Sequence, residues 1–427
     1  MKKFLFIFIW KHAVTGQGKN HSDLSSRKAG PSAMRCGPLL VLAVAGFAWS
    51  AAPAGAANAE DLARLLAENA CVGCDLSSAD LSGQDLQGAN LRDADLSGAN
   101  LRDANLTDAN LADANLRGAS LRDANLTDAY LQMASLRDAI LTGANLTDAD
   151  LSHQTLSGHD LTGTILRGAN LYSTKLISLN LSDHDLTGTI LTYAKLNQAD
   201  LTGQNLSDYD LTGTILEEAT LSGTTLTGAN LTDANLTGQN LSGYDLTGTT
   251  LTGANLVGTI LTGANLTDAD LTGQNLNQNG HDLTGTILTG ANLTDARLKK
   301  HDLSDHDLTG TILKGANLNN ADLTGQDLSG KNLWGTRLKG TNLTNADLTG
   351  KNLNRNTRDL TGTILKRANL TNAKLKNQDL RHKNLKGTNL TDANLNGVNL
   401  MGANLSSATW VDGTVCRTGS IGRCIPQ

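Results

Sequence analysis

Leucine recurs at every fifth residue through most of this 427-residue chain. The series covers residues 76–276, 283–353 and 360–405, which makes 66 units of five. The residue two places before each leucine is usually Ala or Thr, and the residue directly before it is usually Asn or Asp. The two positions after it are mostly Thr, Ser, Arg, Asp or Gly. Each unit therefore has two apolar or small positions for an interior and polar positions for an exterior.

A period of five fits neither an α-helix nor a flat strand. Five residues turn a helix by about 500°, so successive leucines would point in every direction. In a strand, an odd step sends alternate leucines to opposite faces. A coil that turns a corner after each unit keeps every leucine inside. The Asn or Asp before each leucine favours such corners, because its side chain bonds to nearby backbone.

The unit resembles the A(D/N)LXX repeat of the pentapeptide-repeat family, as in "ANLRDANLTDANLADANL" at 99–116. The resemblance covers residues 76–409. It implies an all-β fold, a right-handed quadrilateral β-helix with four units per coil. About sixteen coils at the strand spacing would form a rod roughly 80 Å long. Such solenoids need capped ends. We expect an N-terminal cap at 60–75 that contains a short helix in "AEDLARLLAEN" (59–69), with Leu62, Leu65 and Leu66 on one face.

Residues 34–59 read as a secretory signal: Arg35, an apolar run over 39–49, and small residues ending in Ala57-Asn58-Ala59. We expect cleavage after Ala59, with Ala56 as the alternative. An uncleaved membrane anchor stays open, although the apolar run is about half the length that spans a bilayer. Residues 1–33 form an upstream extension, and Met34 is a second candidate start. These features predict a periplasmic or secreted protein with no transmembrane span after cleavage.

Export favours disulfides among the four cysteines that follow the signal. Cys71 and Cys74 lie before the array, and Cys416 and Cys424 lie after it. We predict a bridge within each pair, so that the second one closes a C-terminal tail at 410–427. A redox-active CxxC is less favoured, because no thioredoxin-like context surrounds Cys71 and Cys74.

Bulky residues replace the small residue two places before leucine in nine neighbouring pairs. These residues would overfill an interior built for Ala and Thr. We therefore predict bulged units from about residue 154, projecting outward along one edge, and both two-residue insertions fall inside such pairs. The alternative is that duplication copied a tolerated variant. The bulge positions are His159, His184, Tyr209, Tyr244, His281, His306 and Arg358.

The sequence contains no HExxH, G-x-S-x-G or phosphate-binding loop. We therefore predict no enzyme activity, no catalytic or metal-binding residues and no cofactor. Residues 76–290 hold 25 acidic and 8 basic residues, whereas residues 291–410 hold 10 and 17. This asymmetry, with the signal, favours an exported scaffold or rod that binds an unknown protein or envelope component, with no nucleic-acid partner.

Two other functions stay open. Some acidic members of the family mimic duplex DNA and interact with gyrase, but the secretory signal and the basic final third disfavour that function here. An ice-binding solenoid needs threonines in a flat rank. We expect the threonines after leucine to pass round successive faces, which disfavours ice binding; they are Thr227, Thr232, Thr237, Thr247 and Thr252.

Overall fold

The computed structural model describes residues 57–277, 281–354 and 359–427, and all of them belong to one compact unit. Most of the predicted extension and signal, 1–56, therefore lies outside the described residues. So do Arg358 and the residues at the centre of the two insertions, 278–280 and 355–358.

One helix is present in the described part of the chain: α1, Ala59–Glu68. Asn58 caps its N-terminus by accepting a hydrogen bond from the Glu60 amide at 2.9 Å, and Asn69 ends it in the left-handed conformation. Leu65 is buried against the first coil, but Leu66 is 55% exposed. The expectation that Leu66 faces the coil is therefore wrong. The helix is too short to cross a membrane, and the described residues contain no helix that is long enough.

From Ala70 onward the chain is a right-handed quadrilateral β-helix. Its strands are single-residue parallel bridges, and each bridge joins residues one coil apart, usually 20 positions, as in Ala70 to Asn90 and Asn90 to Asn110. The last bridge of this kind joins Asn389 to Thr409. Four bridges per 20-residue coil correspond to four sides of five residues each, as the resemblance implies.

The interior is a column of leucine and small residues. Leu96, Leu116 and Leu136 stack at 20-residue intervals and are at most 3% exposed, and Ala99 and Ala119 are fully buried. Each of the four sides of a coil packs on the corresponding side of the next coil. The buried column therefore runs the length of the array.

Nearly every described corner contains a residue with positive φ two places after the leucine; Asp183, Asp305 and Gly330 are exceptions. Asp93 (φ 59°) and Gly98 (φ 64°) are typical. This left-handed conformation favours Gly, Asp and Asn, which explains their frequency at that position. At Gly163 a side chain would also meet the backbone of Gly143 one coil away, because the ideal Cβ lies 3.6 Å from the Gly143 Cα.

Asn and Asp side chains join the corners to each other. The Asn105 Oδ1 accepts from the Thr107 amide (3.2 Å) and hydroxyl (2.7 Å) two residues ahead. One coil later, the Asn125 Nδ2 donates to the Thr107 hydroxyl at 2.8 Å. These ladders satisfy polar groups at the exterior that the leucine column cannot satisfy.

The C-terminal tail folds back across the last coil. Three antiparallel bridges hold it: Asn404 to Ile421, Thr409 to Val415 and Cys416 to Pro426. Trp410 is half-buried against the core. The tail thus supplies hydrogen-bond partners and apolar cover to an edge that would otherwise be open.

Both cysteine pairs lie at disulfide distance. The Cα atoms of Cys71 and Cys74 are 5.3 Å apart, and those of Cys416 and Cys424 are 5.1 Å apart. Cys71 and Cys74 are buried under α1, where the Arg64 guanidinium contacts the Cys74 sulfur. Asp61 of the same helix accepts from the Asp75 amide at 3.0 Å. The first bridge therefore belongs to the contact between the cap and the first coil.

Candidate functional site

The bulky polar residues of the array that the structure describes point inward, and their polar ends reach the coil before them. His184 Nε2 lies 2.9 Å from the Leu161 carbonyl oxygen, Gln204 Nε2 donates to the Leu181 carbonyl at 2.7 Å, and the Lys383 amine donates to the Thr363 carbonyl at 3.1 Å. We term the full set the bulky pairs: Gln154/His159, Leu179/His184, Gln204/Tyr209, Gln239/Tyr244, Gln274/His281, His301/His306, Gln326/Lys331, Lys351/Arg358 and Gln378/Lys383.

Threonine at the same position reaches the same kind of acceptor without disturbing the coils. Thr164 Oγ1 donates to the Leu141 carbonyl, 23 residues back, at 3.0 Å, and Thr174 does so to Leu151 at 2.9 Å. Gln204 and His184 also bond to a leucine 23 residues back, but their side chains are longer. A longer side chain with the same acceptor requires a wider gap between coils.

Backbone bridges are missing at these gaps. Within the described residues, no bridge joins Ser135 to Thr155 or Ile140 to Asp160, although bridges on the other sides of these coils are kept. At the next pair the equivalent bridges, Asp160 to Asn180 and Ile165 to Asp185, are also absent, so that Asp160 has no bridge to a described residue on either edge. Each bulky pair thus separates two adjacent sides of its coil from the coil before.

The separated sides form inter-coil clefts. The first cleft has a volume of about 1010 Å³ and lies between residues 133–142 and 153–160. A second, of about 800 Å³, lies between 158–165 and 177–185. Gly158, His159 and Asp160 line both clefts. Successive clefts are therefore continuous with each other where a unit has lost its bridges on both edges.

The direction of the bulky side chains corrects the sequence interpretation. The predicted outward projection is not observed for His159, His184, Tyr209, Tyr244, His281 and His306, each of which bonds to backbone of the preceding coil. Arg358 lies outside the described residues. The bulky side chains do crowd the interior, but the coils relieve the crowding by moving apart, because each polar end finds a carbonyl acceptor in the interior.

The clefts also do not stack along one edge. Most pairs recur every 25 residues, and a coil contains 20. A pair that follows after 25 residues therefore lies one side further round the coil, whereas Gln239/Tyr244 and Gln274/His281, which follow after 35 residues apart from the insertion, each lie one side back. The clefts follow a winding path as a result.

The five-residue period can be interrupted at the bulky pairs because the bridges there are already absent. Around the first insertion, Asn265 pairs with Ile287 and Asn275 with Arg297, so this coil has 22 residues. Asn342 pairs with Ile364 around the second. An extra pair of residues therefore changes the length of one coil without shifting the pairing on its other sides.

Isoleucines mark the lips of the clefts. Ile140 and Asp160 line opposite edges of the first cleft, and Ile165 and Asp185 line those of the second. Ile140 is 43% exposed. The sequence signal was present, since an isoleucine in the Asn/Asp position usually precedes the second bulky residue by 19 positions.

Several half-buried basic side chains occupy these gaps. His184 and His306 each have a buried Nδ1 without a hydrogen-bond partner in the described structure. Burial lowers the pKa of His301, whose Nε2 lies 3.0 Å from the Leu276 carbonyl. Burial also lowers the pKa of Lys331 and Lys383. Neutral imidazole is therefore favoured at His301.

We expect acid to weaken the coils around His301. Burial and the charges of His281 and His306 lower its pKa, while the Leu276 carbonyl and Asp282 act in the opposite direction. The unfolded state, with a histidine pKa near 6.5, then binds more protons than the native state. This stability contribution is present above about pH 6.5 and is lost as the pH falls through the lowered pKa.

Urea unfolding measured between pH 7 and pH 5 checks this expectation. His301→Gln introduces the residue found at the equivalent positions Gln326 and Gln378. This variant is expected to lose less unfolding free energy than the unmodified protein as the pH falls. An identical loss in the variant would show that His301 does not contribute to it.

Three side chains of the kinds that bind metal ions lie close together at one place in the described chain, namely Asp61, Cys71 and Cys74. Both sulfurs there are joined in the disulfide, so neither is a thiolate that can bind a metal. His301 and His306 bond to backbone carbonyls of different residues, Leu276 and Leu283.

Thr227, Thr232 and Thr237 lie at successive corners, as expected, but threonines also stack in a rank within one corner. The amides of Gly228, Gly248 and Asp268 donate to the carbonyls of Thr247, Thr267 and Thr289, so these threonines stack coil upon coil. Such a rank arises because residues 20 positions apart share a face of the coil. The hydroxyls of Thr247 and Thr267 already donate to the Asp or Asn two residues before them.

Comparison with known proteins agrees with the coil architecture. The family model "Pentapeptide repeats (8 copies)" matches residues 74–278, 282–355 and 368–406 in overlapping segments. No curated protein matches the chain significantly.

Solved structures of pentapeptide-repeat proteins are similar to this chain. One is HetL, which is involved in heterocyst differentiation regulation in the cyanobacterium Nostoc sp. strain PCC 7120, with 24% identity over 84% of this chain and 99% of that chain (TM-score 0.16). Another comes from the Arabidopsis thaliana thylakoid lumen, with 28% identity over 28% of this chain and 66% of that chain (TM-score 0.13).

A third is QnrB1, a plasmid-mediated fluoroquinolone resistance protein, with 16% identity over 54% of this chain and 88% of that chain (TM-score 0.15). The superpositions are poor, so the assignment rests on the repeat itself. Because the repeat model matches well over half of its length, the chain belongs to the pentapeptide-repeat family.

Proposed function

We propose that the protein is an exported, non-enzymatic scaffold or binding rod of the cell envelope, located in the periplasm or secreted. The observation that carries this proposal is the pair of cysteine bridges, one at each end of the β-helix. Disulfides of this kind persist in oxidising compartments. The signal-like segment at 34–59 supports the same compartment.

We further propose that the signal is removed after Ala56. Ala57 packs against the core, and the Asn58 amide donates to the Asp75 carbonyl at 3.0 Å. Asn58 also caps α1. Cleavage after Ala59 would remove these contacts and the first helical residue, whereas cleavage after Ala56 keeps the cap complete.

Two surfaces are available to a partner: the inter-coil clefts from residue 133 onward and the basic section at 291–410. The clefts expose isoleucine and aspartate lips beside backbone groups that have lost their bridges. These are features of a recognition surface, because backbone edges and apolar lips both bind polypeptide or polymer chains. The section at 76–130 keeps its bridges throughout.

Fractionation of expressing cells, with mass spectrometry of the mature protein, tests the proposal. We expect a periplasmic or secreted chain that starts at Ala57, with Cys416 and Cys424 oxidised. A cytosolic chain with an intact N-terminus and free thiols would overturn it. DNA mimicry would then be tested next, as inhibition of gyrase supercoiling by the purified protein.

A further inference from the structure

Six residues of the basic section lie together on one side of the coil and its two corners. Bridges stack Asn275, Arg297, Asn317 and Arg337 in one column. In the next corner, the amides of Lys299 and Lys339 donate to Asn277 and Asn319 Oδ1, each at 2.9 Å. We term the following residues the basic face: Arg297, Lys299, Lys314, Trp334, Arg337 and Lys339.

The cations of this face form no ion pair with a carboxylate of the described residues. In the acidic section, Arg92, Arg102 and Arg117 form ion pairs with nearby aspartates. Arg297 and Arg337, by contrast, form no ion pair within 57–277, 281–354 and 359–427. The same holds for Lys299, Lys314 and Lys339. The positive charge is therefore available to a ligand.

A shallow groove crosses the face. Its volume is about 610 Å³, and its lining includes Arg297, Lys299 and Arg337. Asp295 is the one carboxylate among the lining residues, and Asn275, Asn277 and Asn317 supply amides. The groove thus combines fixed positive charge with groups that both donate and accept hydrogen bonds.

The charges repeat at a regular distance. Arginine alternates with asparagine in the bridge column, and lysine alternates with asparagine in the corner column. Within each column, positive charges therefore recur in every second coil and are separated by about 10 Å along the coil axis. A ligand that fits this face has anionic groups at a matching interval along a straight chain.

Trp334 adds an aromatic surface beside the charged columns. It is 69% exposed, and the Lys314 amine lies 5.6 Å from its ring centroid. The stacked corner places the two side by side, since the Gly315 amide donates to the Trp334 carbonyl at 2.8 Å. An exposed indole among cations provides a flat apolar face on which a ring can stack.

From this arrangement we infer that the basic face binds a linear acidic polysaccharide. In an extended uronic-acid chain, alternate sugars turn the same side toward a surface, so carboxylates face the arginines every second ring. The hydroxyls between them face the asparagines, and one sugar ring stacks on Trp334. Single-stranded nucleic acid fits less well, because its binding proteins stack successive bases on several aromatic side chains. This inference rests on the proposed binding function and names its partner class.

Calorimetric titration of the purified full chain, disulfides oxidised, with polygalacturonate tests the inference. We expect binding that weakens with salt and is absent with neutral dextran. Arg297→Asn with Arg337→Asn places the residue of Asn275 and Asn317 at both positions, so the fold is kept. This double variant is expected to lose roughly tenfold in affinity, since two charge-assisted contacts are removed.

The matched control removes the same charge from another face. Lys366→Thr with Lys386→Thr places the residue of Thr324 and Thr344 in their own column, and it is expected to leave the affinity within about twofold. Trp334→Thr is expected to weaken polygalacturonate binding while leaving binding of inorganic polyphosphate unchanged.

Three results would overturn the inference. Equal losses in the two charge variants would show nonspecific attraction, and tighter binding of oligo-dT than of polygalacturonate would favour nucleic acid. Self-association by light scattering that Arg297→Asn with Arg337→Asn abolishes, without polymer binding, would assign the face to the acidic section of a second copy. None of these results bears on export, which fractionation tests separately.

Discussion

Replacing Gln204 by alanine is expected to lower the free energy of unfolding by about 2–4 kcal/mol. The Gln204 amide donates to the Leu181 and His184 carbonyls at 2.7 and 2.9 Å and is buried. Alanine removes these bonds and leaves a cavity in a coil that Tyr209 still separates from the coil before. Tyr209→Ala is expected to destabilise for the same reason, since its hydroxyl bonds to the Leu186 carbonyl.

The double variant Gln204→Ala with Tyr209→Ala is expected to lose less free energy of unfolding than the two single variants lose together, by roughly 1–3 kcal/mol. Two alanines restore the small residues of a regular coil, so the sides can close. The bridges from Asn205 to Asp185 and from Asp210 to Ile190, absent in the structure, are then free to form. The bulky residues would be shown to hold the cleft open.

Chemical unfolding gives the three free energies, and hydrogen exchange reports protection of the Asn205 and Asp210 amides. A matched control combines Gln204→Ala with Gln239→Ala, whose side chains belong to different clefts, and should be additive. Additivity in the Gln204 and Tyr209 double variant, with no new amide protection, would contradict closure of the cleft.

Leu126→Asp is expected to destabilise the protein more strongly and to lower the free energy of unfolding by more than about 4 kcal/mol. Leu126 is fully buried in the leucine column, between Leu106 and Leu146. A carboxylate there has no partner, because the neighbouring positions are leucine and alanine. Since each coil contacts only its neighbours, we expect the array to open locally around residue 126 before the rest unfolds.

Limited proteolysis and hydrogen exchange locate this opening, and thermal unfolding gives its magnitude. The control is Asn125→Asp, which introduces the same residue one position away. Asp85 and Asp185 occupy the same column as Asn125, so this change is expected to cost less than about 1 kcal/mol. Equal stability of the two variants would contradict the burial of the leucine column.

The sequence predicted the architecture because the decisive signal is local. A leucine at every fifth residue, with a small residue two places before it, identifies the interior positions, and Leu126 and Ala124 occupy them as expected. The corners were equally readable, since positive φ favours the Gly and Asp found at Gly98 and Asp93.

Contacts between coils were less predictable, because they depend on which residues lie 20 or 22 positions apart. The rank of Thr247, Thr267 and Thr289 and the column of Arg297 and Arg337 are invisible when neighbouring units are compared. They emerge only once the length of the coil is known.

By itself, then, the sequence determined a four-sided coil with leucine inside and Asn or Asp at the corners. Only the tertiary structure decided the direction of the bulky pairs. Outward projection and inward insertion both relieve crowding at His184, and the choice depends on an acceptor 23 residues away, the Leu161 carbonyl. Because that bond is available only when the coils stack, the side chain turns inward and the coils separate around it.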